Sequence, residues 1–265
     1  MLYRLALVTG ATSGIGKATC ELLASQGINL LIIGRNQEQL QFLKQNLSQQ
    51  VSVEAFQADL AQPQGRQSLI SLLHERAPDI VINNAGFGLY GEALTYTTDE
   101  QVDILEVNGR AVLELTLEAA RTLISKGKKG VILNVSSAAG FQIFPSMSVY
   151  AASKAFVNCF SRSFDFESKR YGVRVLAICP GVVATNFQKK AGSLFHKHAG
   201  AMSPSFVAEQ IWKQIRDLDP LRIVNWKYRL LTFFSFFIPI SWTVAVEERM
   251  IAKRITPRTL IKIKQ

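Results

Sequence analysis

Short, nearly continuous apolar runs recur along the chain at Leu5–Thr9, Asn29–Ile33, Val51–Phe56, Asp79–Asn83, Gly130–Val135 and Val173–Ile178. They do not alternate apolar with polar, which is the pattern of strands covered on both faces. Helical spacing fills the intervals over 14–26, 36–49, 64–76, 98–126 with a break near Gly109, and 149–171. Regular strand–helix alternation predicts right-handed β-α-β crossovers and so an α/β fold, a doubly wound parallel sheet whose ligand site lies beyond the carboxyl ends of its strands. No internal repeat or low-complexity linker interrupts this order, so one domain is expected over residues 1–225. A C-terminal helical extension over 226–265 completes the chain and is not an independent domain.

The turn after the first strand reads Thr9-Gly10-Ala11-Thr12-Ser13-Gly14-Ile15-Gly16 and opens the first helix. Gly10 permits a tight turn, Gly14 lets the backbone approach a pyrophosphate, and Gly16 allows close helix packing, while the helix N-terminal amides face the anion. This is a Rossmann-type cofactor turn with a spacing wider than the usual one. The second strand ends Ile33-Gly34-Arg35. An acidic residue there would accept from the ribose hydroxyls of NAD; Arg35 instead offers a permanently charged planar fork suited to a 2′-phosphate, which points to NADP(H). Lys17 is the nearest candidate for a second phosphate donor.

Composition narrows the remaining classes. The chain has 265 residues, a formal charge of +10 and three cysteines, Cys20, Cys159 and Cys179, with no metal-binding spacing. These read as reduced thiols of a cytoplasmic protein, and the apolar segment Met1 to Val8 has the features of a strand rather than of a secretion signal. The basic residues form no block interleaved with stacking aromatics, so nucleic acid is not an expected partner. Many of them surround an apolar stretch instead. Leu230 to Val246 has no charge, is rich in Phe (Phe233, Phe234, Phe236, Phe237), and carries Pro239 in its middle and Trp242 beyond it. It is too short and too broken for a membrane span, and must be covered either by protein or by an anionic membrane surface into which it inserts shallowly. The second alternative would make the protein peripherally membrane-associated through 226–265.

Tyr150 and Lys154 lie four residues apart at a helix start, which puts both on one face. An ammonium that lowers the phenol pKa would favour proton exchange with a substrate oxygen. The ordered set of glycine turn, Asn83-Asn84-Ala85-Gly86, Asn108, Ser136-Ser137, Tyr150/Lys154 and Pro180-Gly181 followed by Thr185 resembles the short-chain dehydrogenase/reductase family over about residues 5 to 225.

The resemblance implies an oxidoreductase that moves a hydride between NADP(H) and a carbonyl or alcohol. Tyr150 would be the general acid in reduction and the base in oxidation, Lys154 would hold the nicotinamide ribose and tune Tyr150, and Ser137 would bind the substrate oxygen. Ser136 is structural in this reading, and Asn108 interrupts its helix and helps position a relay water. The cofactor would contact Gly10, Thr12, Ser13, Gly14, Ile15, Gly16, Arg35, Asp59 at the adenine, Asn84, Ala85 and Gly86, Tyr150, Lys154, and the nicotinamide clasp of Pro180, Gly181, Val183 and Thr185. Specificity falls to residues 87–97, 138–149 and 186–210, where Phe87, Leu89, Tyr90, Phe141, Ile143, Phe144, Pro145, Met147, Phe187, Leu194 and Phe195 predict an apolar pocket for a hydrophobic ketone or aldehyde. The family implies a homo-oligomer, dimer or tetramer. His74, His196 and His198 have no partner set, so no metal is expected. A non-catalytic NADP(H)-binding regulator and a membrane-surface binding protein are the alternatives of other classes.

Overall fold

A computed structural model of the chain describes residues 3–192 and 200–235. Seven parallel strands form one sheet in the order β3-β2-β1-β4-β5-β6-β7. They span β1 Leu5–Thr9, β2 Asn29–Gly34, β3 Val53–Gln57, β4 Ile80–Asn83, β5 Gly130–Val135, β6 Val173–Cys179 and β7 Leu221–Ile223. Strand order reverses at β1, which pairs with β2 on one side and β4 on the other. The connections leaving β1 and β4 therefore diverge at the carboxyl edge and open a crevice there.

Successive strand residues feed opposite faces of the sheet. Leu30, Ile32, Ile82 and Leu133 join a cluster with residues of α1 (Gly14–Ser25), α2 (Gln37–Leu47) and α8 (Pro204–Asp217). Leu7, Leu31, Ile33, Val81 and Ile132 join the opposite cluster, built with α3 (Pro63–Arg76) and α5 (Ala111–Ser125). Every residue of β5 is buried, which is why these runs lack alternation in the sequence.

The expected break near Gly109 is a π-helical turn over Glu106–Arg110, inserted between α4 (Thr98–Leu105) and α5. Its cause is local: the Asn108 carboxamide accepts from the Phe87 amide at 3.1 Å and donates to the Phe87 carbonyl at 2.8 Å. That clamp draws one extra residue into the turn. The long helix α6 covers Ser148–Ser168, and short α7 covers Phe187–Lys190.

Two C-terminal elements, β7 and α8, extend the expected set, and a third, α9, falls within the expected helical extension. β7 is only three half-buried residues, below the length at which an apolar run declares itself. Helix α8 starts where the Ser203 hydroxyl accepts from the Phe206 amide at 3.1 Å and Pro204 occupies the first turn. Helix α9, Trp226–Ser235, lies against β7 and the 138–141 turn. Among the described residues no helix is long and apolar enough to cross a membrane. Leu194, Phe195, His196 and His198, and Phe236, Phe237, Pro239 and Trp242 of the extension, lie outside the described residues.

Candidate active site

The crevice at the carboxyl edge is one continuous cleft of about 650 Å³. Its floor is the glycine turn. Gly10 has φ +64°, and a Cβ there would sit 2.9 Å from the Ala85 Cα; a Cβ on Gly16 would sit 2.3 Å from the Gly10 carbonyl oxygen. Side chains at these positions would collide with main chain, so the cradle requires bare backbone. The β4 exit braces it: the Thr9 hydroxyl accepts from the amides of Asn84 and Ala85, each at 3.0 Å, and the Asn84 carboxamide donates to the carbonyls of Thr9 and Gly10. Ser13 occupies the N-cap of α1 without a side-chain capping bond. The first-turn amides thus keep their anion-binding capacity toward the cleft.

One end of the cleft is lined by Thr12, Arg35, Asn36 and Asp59. Among the described residues no carboxylate pairs with Arg35, whose guanidinium is left for a ligand. Lys17, the expected second phosphate donor, instead faces Glu21 one helical turn on, at 3.7 Å, and does not line the cleft. Asp59 accepts from the Ala61 amide at 3.1 Å, and a Cβ on Gly65 would meet the Asp59 carbonyl oxygen at 2.1 Å. Arg66, almost fully buried, ties this turn down by donating to the carbonyls of Leu60 and Ala61 at 2.8 and 2.9 Å. The same guanidinium reaches Glu106 of the π-helical turn at 2.8 Å and Glu114 of α5 at 3.0 Å.

The other end brings Ser137, Tyr150 and Lys154 together with Pro180, Gly181, Val183 and Thr185. Ser137 accepts from the Ala139 amide at 3.1 Å and faces the same cleft as Tyr150. Loss of water around the Tyr150 phenol pushes its pKa up to about 12, a shift that the neighbouring Ser137 hydroxyl opposes. Lys154 is buried, donates to the Val135 carbonyl at 2.9 Å, and has its pKa pushed down by burial to about 8. The ammonium lies 5.8 Å from the Tyr150 ring centre and does not depress the phenol as the sequence spacing suggested. Tyr150 is therefore protonated at neutral pH.

Asn108 is fully buried and does not open on the cleft. Its carboxamide serves the Phe87 main chain and donates to the Ser153 hydroxyl at 3.2 Å, which in turn donates to the Tyr150 carbonyl at 2.6 Å. The π-helical turn is thereby pinned to the helix that carries Tyr150. Ser136 donates to the Lys154 carbonyl at 3.0 Å behind the site. Phe87, Tyr90, Phe144, Met147 and Phe187 line the cleft near Tyr150, whereas Ile143 and Pro145 border a separate surface groove, and Leu89 and Phe141 line neither. His74 pairs with Glu118 at 2.9 Å, and no metal-holding cluster occurs among the described residues.

Two residues of this architecture carry no signal in the sequence. Arg66 reads as an ordinary helix-surface charge, and Tyr228 of α9, which also lines the cleft, falls in the apolar extension.

A glycine cradle at the reversal of a parallel sheet, facing a Ser-Tyr-Lys cluster, defines a Rossmann-type oxidoreductase. The chain belongs to the short-chain dehydrogenase family: residues 4–193 match the model of that family, described as short chain dehydrogenase. An uncharacterised oxidoreductase of Staphylococcus aureus is 35% identical over 184 residues, covering 69% of this chain and 79% of the relative. Among solved structures, a short-chain dehydrogenase of Sphingobium yanoikuyae in complex with NADPH is 27% identical, with a TM-score of 0.80 over 93% of this chain and 94% of the other. An alcohol dehydrogenase of the archaeon Thermococcus sibiricus, complexed with 5-hydroxy-NADP, is 25% identical, with a TM-score of 0.73 over 83% and 94%. A bulky-bulky ketone specific alcohol dehydrogenase of Comamonas testosteroni shares the fold at 24% identity, with a TM-score of 0.77 over 94% and 93%.

Proposed function

We propose that this oxidoreductase uses NADP(H) to reduce a hydrophobic ketone or aldehyde, with Ser137, Tyr150 and Lys154 as its catalytic groups. The observation that carries the reading is the single cleft with unpaired Arg35 at one end and the Ser137–Tyr150–Lys154 cluster at the other. The bare-backbone cradle fits a pyrophosphate, Arg35 fits a 2′-phosphate, and the neighbours from Sphingobium and Thermococcus bind NADPH and an NADP derivative.

When bound, the nicotinamide supplies the hydride. The proton that the alcohol product needs comes from Tyr150, whose hydroxyl is protonated at neutral pH and shares the cleft with Ser137. Ser137 donates to the same substrate oxygen as its negative charge develops. Lys154, held by the Val135 carbonyl, would hold the nicotinamide ribose. Asn108 acts through Phe87 and Ser153, keeping α6 in register with the cleft. The apolar lining of Phe87, Phe144, Met147 and Phe187 supports a hydrophobic substrate and excludes water from the hydride path.

The test is NADPH oxidation against a panel of hydrophobic ketones and aldehydes, with Tyr150→Phe beside the parent. Turnover should fall by roughly a hundredfold or more in the variant, with NADPH binding nearly intact, because only the proton donor is removed. Full activity of Tyr150→Phe would end the mechanism.

A second reading concerns location. Trp226, Leu230, Phe233 and Phe234 are all exposed, at helical spacing that places them on one face of α9, with Lys227 and Arg229 beside them. This stripe supports docking of the enzyme on an anionic membrane surface. Flotation with anionic vesicles should recover the parent at low salt and not Phe233→Glu/Phe234→Glu; no flotation of the parent at any salt would remove this reading.

A further inference from the structure

We propose that Tyr228 is a positioning residue for the nicotinamide end of the cleft, acting from α9 through the main chain of Gly181 and Val182. The inference rests on the reading that the nicotinamide lies against residues 180–185. That segment leaves β6 as extended chain, and contacts from three directions hold it. The Ala138 amide donates to the Pro180 carbonyl at 2.9 Å, the Met202 amide donates to the Val182 carbonyl at 3.0 Å, and the Val182 amide donates to the Tyr228 hydroxyl at 3.1 Å. The last of these is the one made by a side chain, and it comes from a helix 46 residues further along the chain.

Gly181 shows how close the contact is. A Cβ there would lie 2.0 Å from the Tyr228 ring, whereas the Gly181 φ is not in the left-handed range. Glycine is therefore required at 181 for space and not for backbone conformation. The ring is half-buried, packs against the core cluster that includes Met202 and Val224, and lines the cleft. Its helix is anchored at the start as well: the Val224 amide donates to the carbonyl of Cys179, the residue before Pro180, and the Asn225 carboxamide accepts from the Lys227 amide. Cys179 to Val182 and Val224 to Tyr228 thus form one braced unit. A wall held this way would limit the movement of a nicotinamide seated against it beside Tyr150, and a misplacement of about 1 Å is enough to slow a transfer reaction.

The experiment titrates parent and variants with NADPH and with 2′,5′-ADP, which has the phosphorylated adenosine half and no nicotinamide. Tyr228→Phe leaves the ring and removes the acceptor, so NADPH affinity should fall by about three- to tenfold, the worth of one hydrogen bond. Tyr228→Ala should lower it by roughly tenfold or more and reduce kcat, since both ring and acceptor are lost. Affinity for 2′,5′-ADP should stay constant in both. Gly181→Ala should impair NADPH binding through the ring clash, and Gly181→Ala/Tyr228→Ala should recover part of the loss, a non-additivity that requires direct contact. Failure of the parent to bind NADPH would overturn the cofactor reading and this inference with it. NADPH binding indifferent to Tyr228→Ala, a parallel fall in 2′,5′-ADP affinity, or a double variant no better than Gly181→Ala would overturn the inference alone.

Discussion

Arg66 is the most exacting site at which to perturb this protein, because one buried guanidinium serves three segments. Its side chain is 1% exposed and meets the Leu60 and Ala61 carbonyls, Glu106 and Glu114. Arg66→Met keeps most of the apolar stem and removes every donor. Two carbonyls then lose charge-assisted hydrogen bonds, each worth about 1.5–3 kcal/mol. The carboxylates, 24% and 29% exposed, regain water, so their released pairing adds no more than about 1 kcal/mol. We expect a loss of about 3–7 kcal/mol at pH 7, a range that includes the cost of breaking a buried pair from one side. Urea unfolding followed by circular dichroism should show this as a lower midpoint with an unchanged slope. Arg66→Lys, a point charge without the planar fork, should recover only part of it. Because the freed turn carries Asp59, 2′,5′-ADP affinity should also fall, the opposite of the expectation at Tyr228. A Met variant within about 1 kcal/mol of the parent would show that the four contacts are not cooperative and refute the reasoning.

Arg35→Ala should weaken NADPH binding by about 1.5–3 kcal/mol and leave NADH binding unchanged, as calorimetric titration would show; equal losses for both cofactors would contradict the assignment of Arg35 to the 2′-phosphate. Gly16→Ala places a methyl 2.3 Å from the Gly10 carbonyl oxygen and should cost most of the cofactor affinity, which retention of parental NADPH binding would disprove. Burial lowers the Lys154 pKa from 10.5 to about 8, so below pH 8 the folded chain bears a charge that the unfolded chain solvates better. Between about pH 8 and 10.5 the unfolded lysine still binds its proton and the folded one does not, so the penalty fades as pH rises. Lys154→Met should therefore be inactive yet melt higher than the parent at pH 7, with the gap closing toward pH 10 in scanning fluorimetry; a gap that widens with pH would reverse the argument.

Five of the longer strands are legible in the sequence because burial on both faces makes each a nearly unbroken apolar run; β3, a half-buried edge strand reading Val-Glu-Ala-Phe-Gln, shows the run only weakly, and the three half-buried residues of β7 leave none. The glycine turn is equally legible, as few residue types tolerate φ +64° against neighbouring main chain. Properties that depend on three-dimensional surroundings are a different matter. Spacing places Tyr150 beside Lys154, but the phenol pKa is set by lost hydration that no spacing encodes, and it moves upward. Lys17 has the position of a phosphate donor and turns instead to Glu21, an ordinary helix-surface pair. Arg66 looks like a solvated charge because its two carboxylates are 40 and 48 residues away in the sequence. Gly181 stands in the Pro-Gly pair that the resemblance reads as a nicotinamide clasp, but nothing in the sequence around it names the Tyr228 ring that packs on it.

The cleft is assembled from residues as far apart as Gly10 and Tyr228, with the phosphate cradle encoded first and the brace of the nicotinamide wall encoded late. At about 5–20 residues per second, a ribosome needs roughly 10–40 s to travel between them. During that interval the nascent chain has already emerged with its cradle strands but without the helix that steadies the reactive end. A chain released before α9 keeps the residues proposed to hold the adenosine and lacks the residue proposed to brace the half that carries the hydride, so its turnover should fall further than its grip on 2′,5′-ADP.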